Sequence, residues 1–169
     1  MGIIKEENKL KDKTVSKELQ DTQNKVDVRS IPINRVGIKD IKYPFQISDK
    51  NGEIQTTVGT FTMSVGLPHD VKGTHMSRFV KILEDQKDFI SIENFDQLVK
   101  NTTKILSSES AYISVDFTYF KKKSAPVSRV ESLLDYSVNF TCEVKNNIVN
   151  KFLKVIVPVT SLCPCSKNI

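Results

Sequence analysis

Two cysteines carry the most reactive side chains of the sequence, and they stand close together as Cys163 and Cys165 with one proline between them. The residues before them are β-branched and strand-like, so the pair follows a predicted strand. A thiolate there is a soft metal ligand or a nucleophile when other groups converge on it. The spacing differs from the C-x-x-C of structural zinc sites. We therefore expect one of the two to do chemistry, and the alternative for each is a small buried apolar side chain.

Two histidines and one short motif supply the other candidate groups. His69 follows a proline in a predicted loop, where a solvated imidazole is the commoner outcome. His75 stands at the start of a predicted helix, just ahead of Ser77 and Arg78. The N–H groups of a first helical turn and a planar guanidinium both favour phosphate. The sequence therefore predicts an anion site at His75, Ser77 and Arg78, and the alternative for His75 is a surface position.

Composition narrows the classes of partner. The 169-residue chain has a formal charge of +5 and a pI near 9.0, which fits a polyanionic ligand as well as a lysine-rich solvated face. It contains no zinc finger and no RNA-binding aromatic signature, so we expect no nucleic-acid partner. No apolar run reaches the ~18 to 20 residues of a membrane span and no secretory signal is found, so we expect no membrane partner. Three cysteines form no disulfide framework, which favours a reducing, cytoplasmic location.

Hydrophobic periodicity predicts an α+β fold. Apolar side chains alternate over residues 41–47 and again over 54–67, where a change of parity predicts a β-bulge at Gly59. Helical spacing follows, with Thr74 as the expected N-cap of the first helix and Ser91 opening the second. Strand-like alternation returns over residues 112–120, 134–144 and 153–159. This order predicts an antiparallel sheet with two helices packed on one face.

Several blocks of the sequence together resemble the GTP cyclohydrolase family of type IB, the metal-dependent alternative entry enzymes of folate biosynthesis. The two most specific blocks are residues 72–80, which read KGTHMSRFV, and residues 160–167, which read TSLCPCSK. Shorter matching blocks lie at residues 36–39, 43–44 and 59–61. The resemblance extends from about Val26 to the last residue. It implies the tunnelling fold, an antiparallel sheet with two helices inserted between strands 2 and 3.

The pattern and the resemblance together predict three parts. Residues 1–30 are almost entirely polar and cannot offset their ordering entropy, so we expect a mobile arm. Residues 31–160 are expected to form the first tunnelling-fold unit. Residues 161–169 are expected to begin the metal-site segment, with the second unit of the family absent.

The resemblance also implies a reaction and its groups. GTP is converted to 7,8-dihydroneopterin triphosphate and formate by a metal-activated water, with zinc, manganese or iron as the divalent metal. By motif match, Cys163 is the metal ligand and the catalytic residue. The family assembles into homo-oligomers, and we expect a tetramer of an intact form. The remaining family ligands correspond to positions beyond Ile169, so we expect residues 1–169 alone to be inactive.

Two other functions stay open at the level of the sequence. The first is a catalytically silent tunnelling-fold module that binds a purine or only assembles. The second, with weaker support, is a basic nucleic-acid-binding domain.

Overall fold

The computed structural model describes residues 25–159. Five strands and two helices make up this part of the chain. They are β1 (Ile33–Ser48), β2 (Ile54–Leu67), α1 (Met76–Glu84), α2 (Phe95–Ile105), β3 (Ser110–Ser124), β4 (Glu131–Lys145) and β5 (Ile148–Ile156).

The strands form one antiparallel sheet in the order β1-β2-β3-β4-β5, and both helices lie between β2 and β3 in the chain. The predicted α+β class and the insertion of the helices between strands 2 and 3 are confirmed. Strands that are consecutive in the chain are also adjacent in the sheet. The segment that contains the two helices is therefore the only long connection within the described residues. The sheet can then bury one face under the helices.

The core lies between the sheet and the two helices. Apolar side chains at every second strand position meet the apolar stripe of each helix, as the two periodicities require. Phe61, Ile113 and Val115 of the sheet are fully buried against Phe79 of α1 and Phe95 of α2. Phe117 lies between the rings of Phe45 and Phe140, with centroids 5.4 and 5.2 Å away in edge-to-face geometry. This core holds both helices at fixed positions over the sheet.

The predicted β-bulge at Gly59 is wrong. The β1–β2 register runs without a shift from Ile41 to Ser48, so Gly59 pairs with Tyr43 in an unbroken ladder. Two register shifts lie instead in β1, one between Ile33 and Val36 and one between Ile38 and Ile41. Gly59 itself faces the crowded core: a Cβ there would come within 2.6 Å of Val115 and 2.7 Å of Phe45. The apolar residues before Gly59 therefore lie on the open face of the sheet, and Ile54 and Val58 are exposed.

Both helices begin later than predicted. His75, with an extended backbone, is the N-cap of α1 in place of Thr74, and its side chain makes no capping hydrogen bond. Ser91 precedes α2 by one turn, in which its backbone N–H donates to Asn94 Oδ1 at 2.8 Å and its hydroxyl accepts from the Asn94 N–H at 3.3 Å. Phe95 then starts the helix proper. The predicted start of the second helix at Ser91 is thus a turn that precedes the helix.

The domain limits stay predictions. Residues 1–24 of the predicted arm and the predicted segment 161–169 lie outside the described residues. Residues 25–30 are described, and Val26 forms an isolated antiparallel bridge with Val71. Within residues 25–159, neither helix is long and apolar enough to cross a membrane.

Candidate functional site

The end of β2, the loop after it and the first turn of α1 enclose a small cavity of about 110 Å³. Apolar side chains from Val65, Leu67 and Leu106 form part of its wall. The polar part of the wall comes from Thr74, His75 and Arg78. Two of the three predicted anion-binding residues, His75 and Arg78, are therefore brought to one cavity, together with a residue that the sequence predicted only as a cap.

Two of the first three backbone N–H groups of α1 have no hydrogen-bond acceptor among the described residues. The Arg78 N–H donates to the His75 carbonyl at 3.1 Å. Within the described part of the chain, the N–H groups of Met76 and Ser77 have no hydrogen-bond acceptor. No acidic residue occupies the first turn of α1. The positive end of the helix dipole is therefore uncompensated by carboxylates of its own turn, which favours a bound anion.

Ser77 lies beside this cavity without lining it. Its side chain is exposed on the first turn of α1, and it is absent from the cavity wall. Its backbone N–H belongs to the group of first-turn donors. A contact between the Ser77 hydroxyl and phosphate stays a prediction.

A second and larger cavity of about 710 Å³ lies at the same end of the sheet. It shares Gly66, Leu67, Pro68 and Ser107 with the wall of the small cavity. His69 and Arg35 line it, and the Arg35 guanidinium lies 3.0 Å from Glu143 and 4.0 Å above the Tyr112 ring. No local pattern in the sequence marks Arg35, because its position beside Glu143 depends on strand pairing over more than one hundred residues.

The structure does not describe the predicted thiol site. Cys163 and Cys165 are outside the described residues. Strand β5 runs away from the α1 cavity, because it starts beside Lys145 and ends beside Ser137. No group of three or more His, Cys, Asp and Glu side chains within residues 25–159 is arranged to hold a metal ion.

Cys142 is the one described cysteine, and it is a core residue. It is fully buried, and burial, ahead of the nearby charge of Asp96, raises the pKa of its thiol to about 11. A thiol with a raised pKa is a poor nucleophile and a poor ligand at neutral pH. Any thiolate chemistry of this chain therefore belongs to the two later cysteines.

Comparison with known proteins identifies close relatives. A family model described as "Type I GTP cyclohydrolase folE2" matches residues 19–169. The protein named GTP cyclohydrolase FolE2 from Azoarcus sp. (strain BH72) is 52% identical over 152 residues, which are 89% of this chain and 56% of the relative. Its namesake from Nitrosococcus oceani is 50% identical over 155 residues, covering 92% of this chain and 58% of the relative. The chain thus spans a little over half the length of these relatives, and it belongs to the type I GTP cyclohydrolase folE2 family.

Proposed function

We propose that this chain acts as part of a GTP cyclohydrolase that converts GTP to 7,8-dihydroneopterin triphosphate and formate. The observation that carries the proposal is the cavity at the start of α1, where Arg78 and His75 meet helix N–H groups without acceptors. A triphosphate is a ligand that such a site suits. Family membership supports the reaction, since relatives of about half identity carry the name GTP cyclohydrolase.

Each predicted residue then has a role. Arg78 would bind two phosphate oxygens with its planar guanidinium, and His75 and Ser77 would contribute further contacts in the same region. Cys163 would hold a divalent metal, zinc, manganese or iron, as the matching family motif implies. The metal, when bound, supplies an activated water for the attack on the purine. Residues 25–159 contain no complete set of metal ligands. Their proposed role is to bind the triphosphate.

The distance from the end of β5 to the α1 cavity favours an assembly. Ile156 is level with Thr118 across the sheet. Thr118 lies seven residues along β3 from Ala111, which pairs with Val65 of the cavity wall, a distance of about 23 Å. Three strand spacings add about 14 Å across the sheet. We propose that a second copy of the chain contributes to the complete site.

Strand β5 offers a surface for such an assembly. Among residues 25–159 it is an edge strand, and apolar side chains are exposed on both of its faces, with Phe152 at 60% and Leu153 at 53% exposure. An open, apolar edge strand is a template for pairing with another chain. We propose a homo-oligomer, a tetramer in the intact form, located in the cytoplasm.

Substitution of Arg78 tests the phosphate site. Arg78→Ala should weaken GTP binding by roughly tenfold or more, because a hydrogen bond to a charged group contributes about 1.5 to 3 kcal/mol. Lys81→Ala is the matched control, since it removes one positive charge from the exposed last turn of the same helix. Its effect on GTP affinity should stay within about twofold. Titration calorimetry measures both, and equal affinities for Arg78→Ala and the native chain would refute the site.

A further inference from the structure

One polar residue of the α1 cavity has no role in the proposals above. Thr74 lines the cavity, is 8% exposed, and its hydroxyl makes no hydrogen bond within the part of the chain that the structure describes. Buried hydroxyls normally have partners, so an unpaired one needs an explanation.

The other buried hydroxyls of the described residues show how unusual this is. Four of the five are hydrogen-bonded: Thr102 donates to the Leu98 carbonyl at 2.9 Å, and Ser48, Ser91 and Ser114 also have partners. Ser64 is the exception, and it lines neither of the two cavities described above, although it directly precedes Val65 in β2. Thr74 is therefore the one buried hydroxyl of residues 25–159 that is both unpaired and part of a cavity wall.

Two further donors lie in the adjacent turn. The N–H groups of Met76 and Ser77 follow Thr74 directly and have no acceptor among the described residues. Three donors without acceptors, next to the Arg78 guanidinium, fit a ligand that carries only acceptor oxygens. A phosphoryl group has that character, and the helix dipole adds to its attraction.

The cavity beside Thr74 is the smaller of the two described at this end of the sheet. Its volume is about 110 Å³, against about 710 Å³ for its neighbour. A phosphoryl group is a small part of a nucleotide that carries acceptor oxygens only, so it is the part that suits the donors of this wall.

We infer that Thr74 binds the terminal phosphoryl group of the nucleotide, with its hydroxyl donating to a phosphate oxygen beside the Met76 and Ser77 N–H groups. Thr74 is then the residue that recognises the end of the triphosphate, while Arg78 binds from the mouth of the cavity. This inference rests on the proposed phosphate site and adds a residue and a specificity to it. GTP should consequently bind more tightly than GDP, and the difference should depend on Thr74.

The test uses the full 169-residue chain with inorganic tripolyphosphate and GTP as probes. Thr74→Val keeps the shape of the side chain and removes the hydroxyl, and we expect it to weaken tripolyphosphate binding by about tenfold. Thr74→Ser keeps the hydroxyl and should bind within about twofold of the native chain. Ser64→Ala, which removes the other unpaired buried hydroxyl, should leave the affinity unchanged.

A thermal measurement separates binding from folding. Without ligand, Thr74→Val should melt at the native temperature or above, because it removes an unpaired buried hydroxyl. With tripolyphosphate, its stabilisation should be smaller than that of the native chain. A lowered melting temperature together with native affinity would show that Thr74 is structural and overturn the inference.

The outcomes also separate this inference from the proposed function. If Arg78→Ala weakens binding and Thr74→Val does not, the inference about Thr74 fails and the phosphate site stands. If the native chain binds neither probe, or if Arg78→Ala has native affinity, the phosphate site itself fails and the role of Thr74 fails with it. Weakening in both variants, with a GTP-over-GDP preference lost in Thr74→Val, supports the inference.

Discussion

The carboxylate of Asp49 joins the β1–β2 turn to strand β3. It accepts the backbone N–H groups of Asn51 at 2.8 Å and Glu53 at 3.1 Å. It also accepts the Tyr119 hydroxyl at 3.1 Å and the Lys121 ammonium at 3.2 Å. Partial burial opposes ionisation, but these four hydrogen bonds outweigh it and lower the pKa of Asp49 to about 2. One side chain thus stabilises a turn and a cross-strand contact together.

Acid should therefore weaken the fold through Asp49. Its pKa in the folded chain lies below the ordinary 3.8, so its contribution to stability is complete above about pH 4 and is lost as the pH falls toward 2. We expect the urea midpoint of the native chain to fall more steeply over this range than that of Asp49→Asn. Asp135→Asn, which removes an exposed carboxylate from β4, should keep the native slope. Parallel slopes for Asp49→Asn and the native chain would contradict the assignment.

At the residue scale, the sequence predicted which side chains could bind an anion better than it predicted how deeply a side chain is buried. The motif around His75 and Arg78 was recognisable from residue types, and the structure brings both to one cavity. Thr74 was predicted as a cap, because a threonine before a helical stretch usually has that role. Its burial follows from packing against β2 and the end of α2, which no local pattern encodes.

The two edges of the sheet differ, and the difference predicts where the chain associates. In β1, a bulge with Asp40 at a φ of 59° and Pro44 both interrupt a regular edge. Such features block pairing with another strand. In β5, residues from Ile148 to Ile156 contain no proline, and its apolar side chains are largely exposed. We expect β5, and not β1, to be the edge that meets another chain.

A charge on β5 should consequently prevent association. Val155 is 46% exposed and lies on the same face as Leu153. Val155→Lys should shift the native oligomer to smaller species, because a lysine in an apolar contact must be desolvated without a partner. Asn150→Lys, near the start of the same strand, is the control and should retain the native mass. Analytical ultracentrifugation measures both, and an unchanged mass for Val155→Lys would place the interface elsewhere.

At the scale of elements, strand and helix order followed from periodicity, while the fine register did not. The parity change near Gly59 was real in the sequence, but it reflects apolar residues on the open face of β2. A periodicity argument assigns apolar side chains to a core and has no way to mark a second apolar surface. Ile54 and Val58 were misassigned for that reason, and the error itself points to a surface that another part of an assembly can cover.

At the scale of the whole molecule, the α1 cavity and the end of β5 lie at opposite ends of one sheet. The α1 cavity lies where β2 ends and β3 begins, and β5 delivers the chain to the other end. The motifs of both sites could be recognised in the sequence, because each is a short block. The position of the β5 end relative to the cavity could not, since it depends on strand direction and sheet order. This distance supports the proposal that the site is completed in an assembly.

We expect turnover to require the full set of metal ligands. A catalytic metal needs about three protein ligands, and the motif match assigns one of them, Cys163, to this sequence. We expect the 169-residue chain with zinc or manganese to release no formate from GTP. A chimera that continues after Ile169 with the remaining part of the Azoarcus relative should release formate, because it restores the length that this chain does not span.

The cysteines supply the control for that experiment. In the chimera, Cys163→Ala should abolish both bound metal and formate release, since the motif match makes this thiolate the ligand. Cys165→Ala removes an equal thiol two residues away and should cost less. Metal content by mass spectrometry distinguishes a lost ligand from a lost fold, and the circular dichroism of each variant should match that of the chimera. Formate release by the 169-residue chain alone, or by the Cys163→Ala chimera, would show that His69, His75 or a carboxylate of this chain completes the metal site.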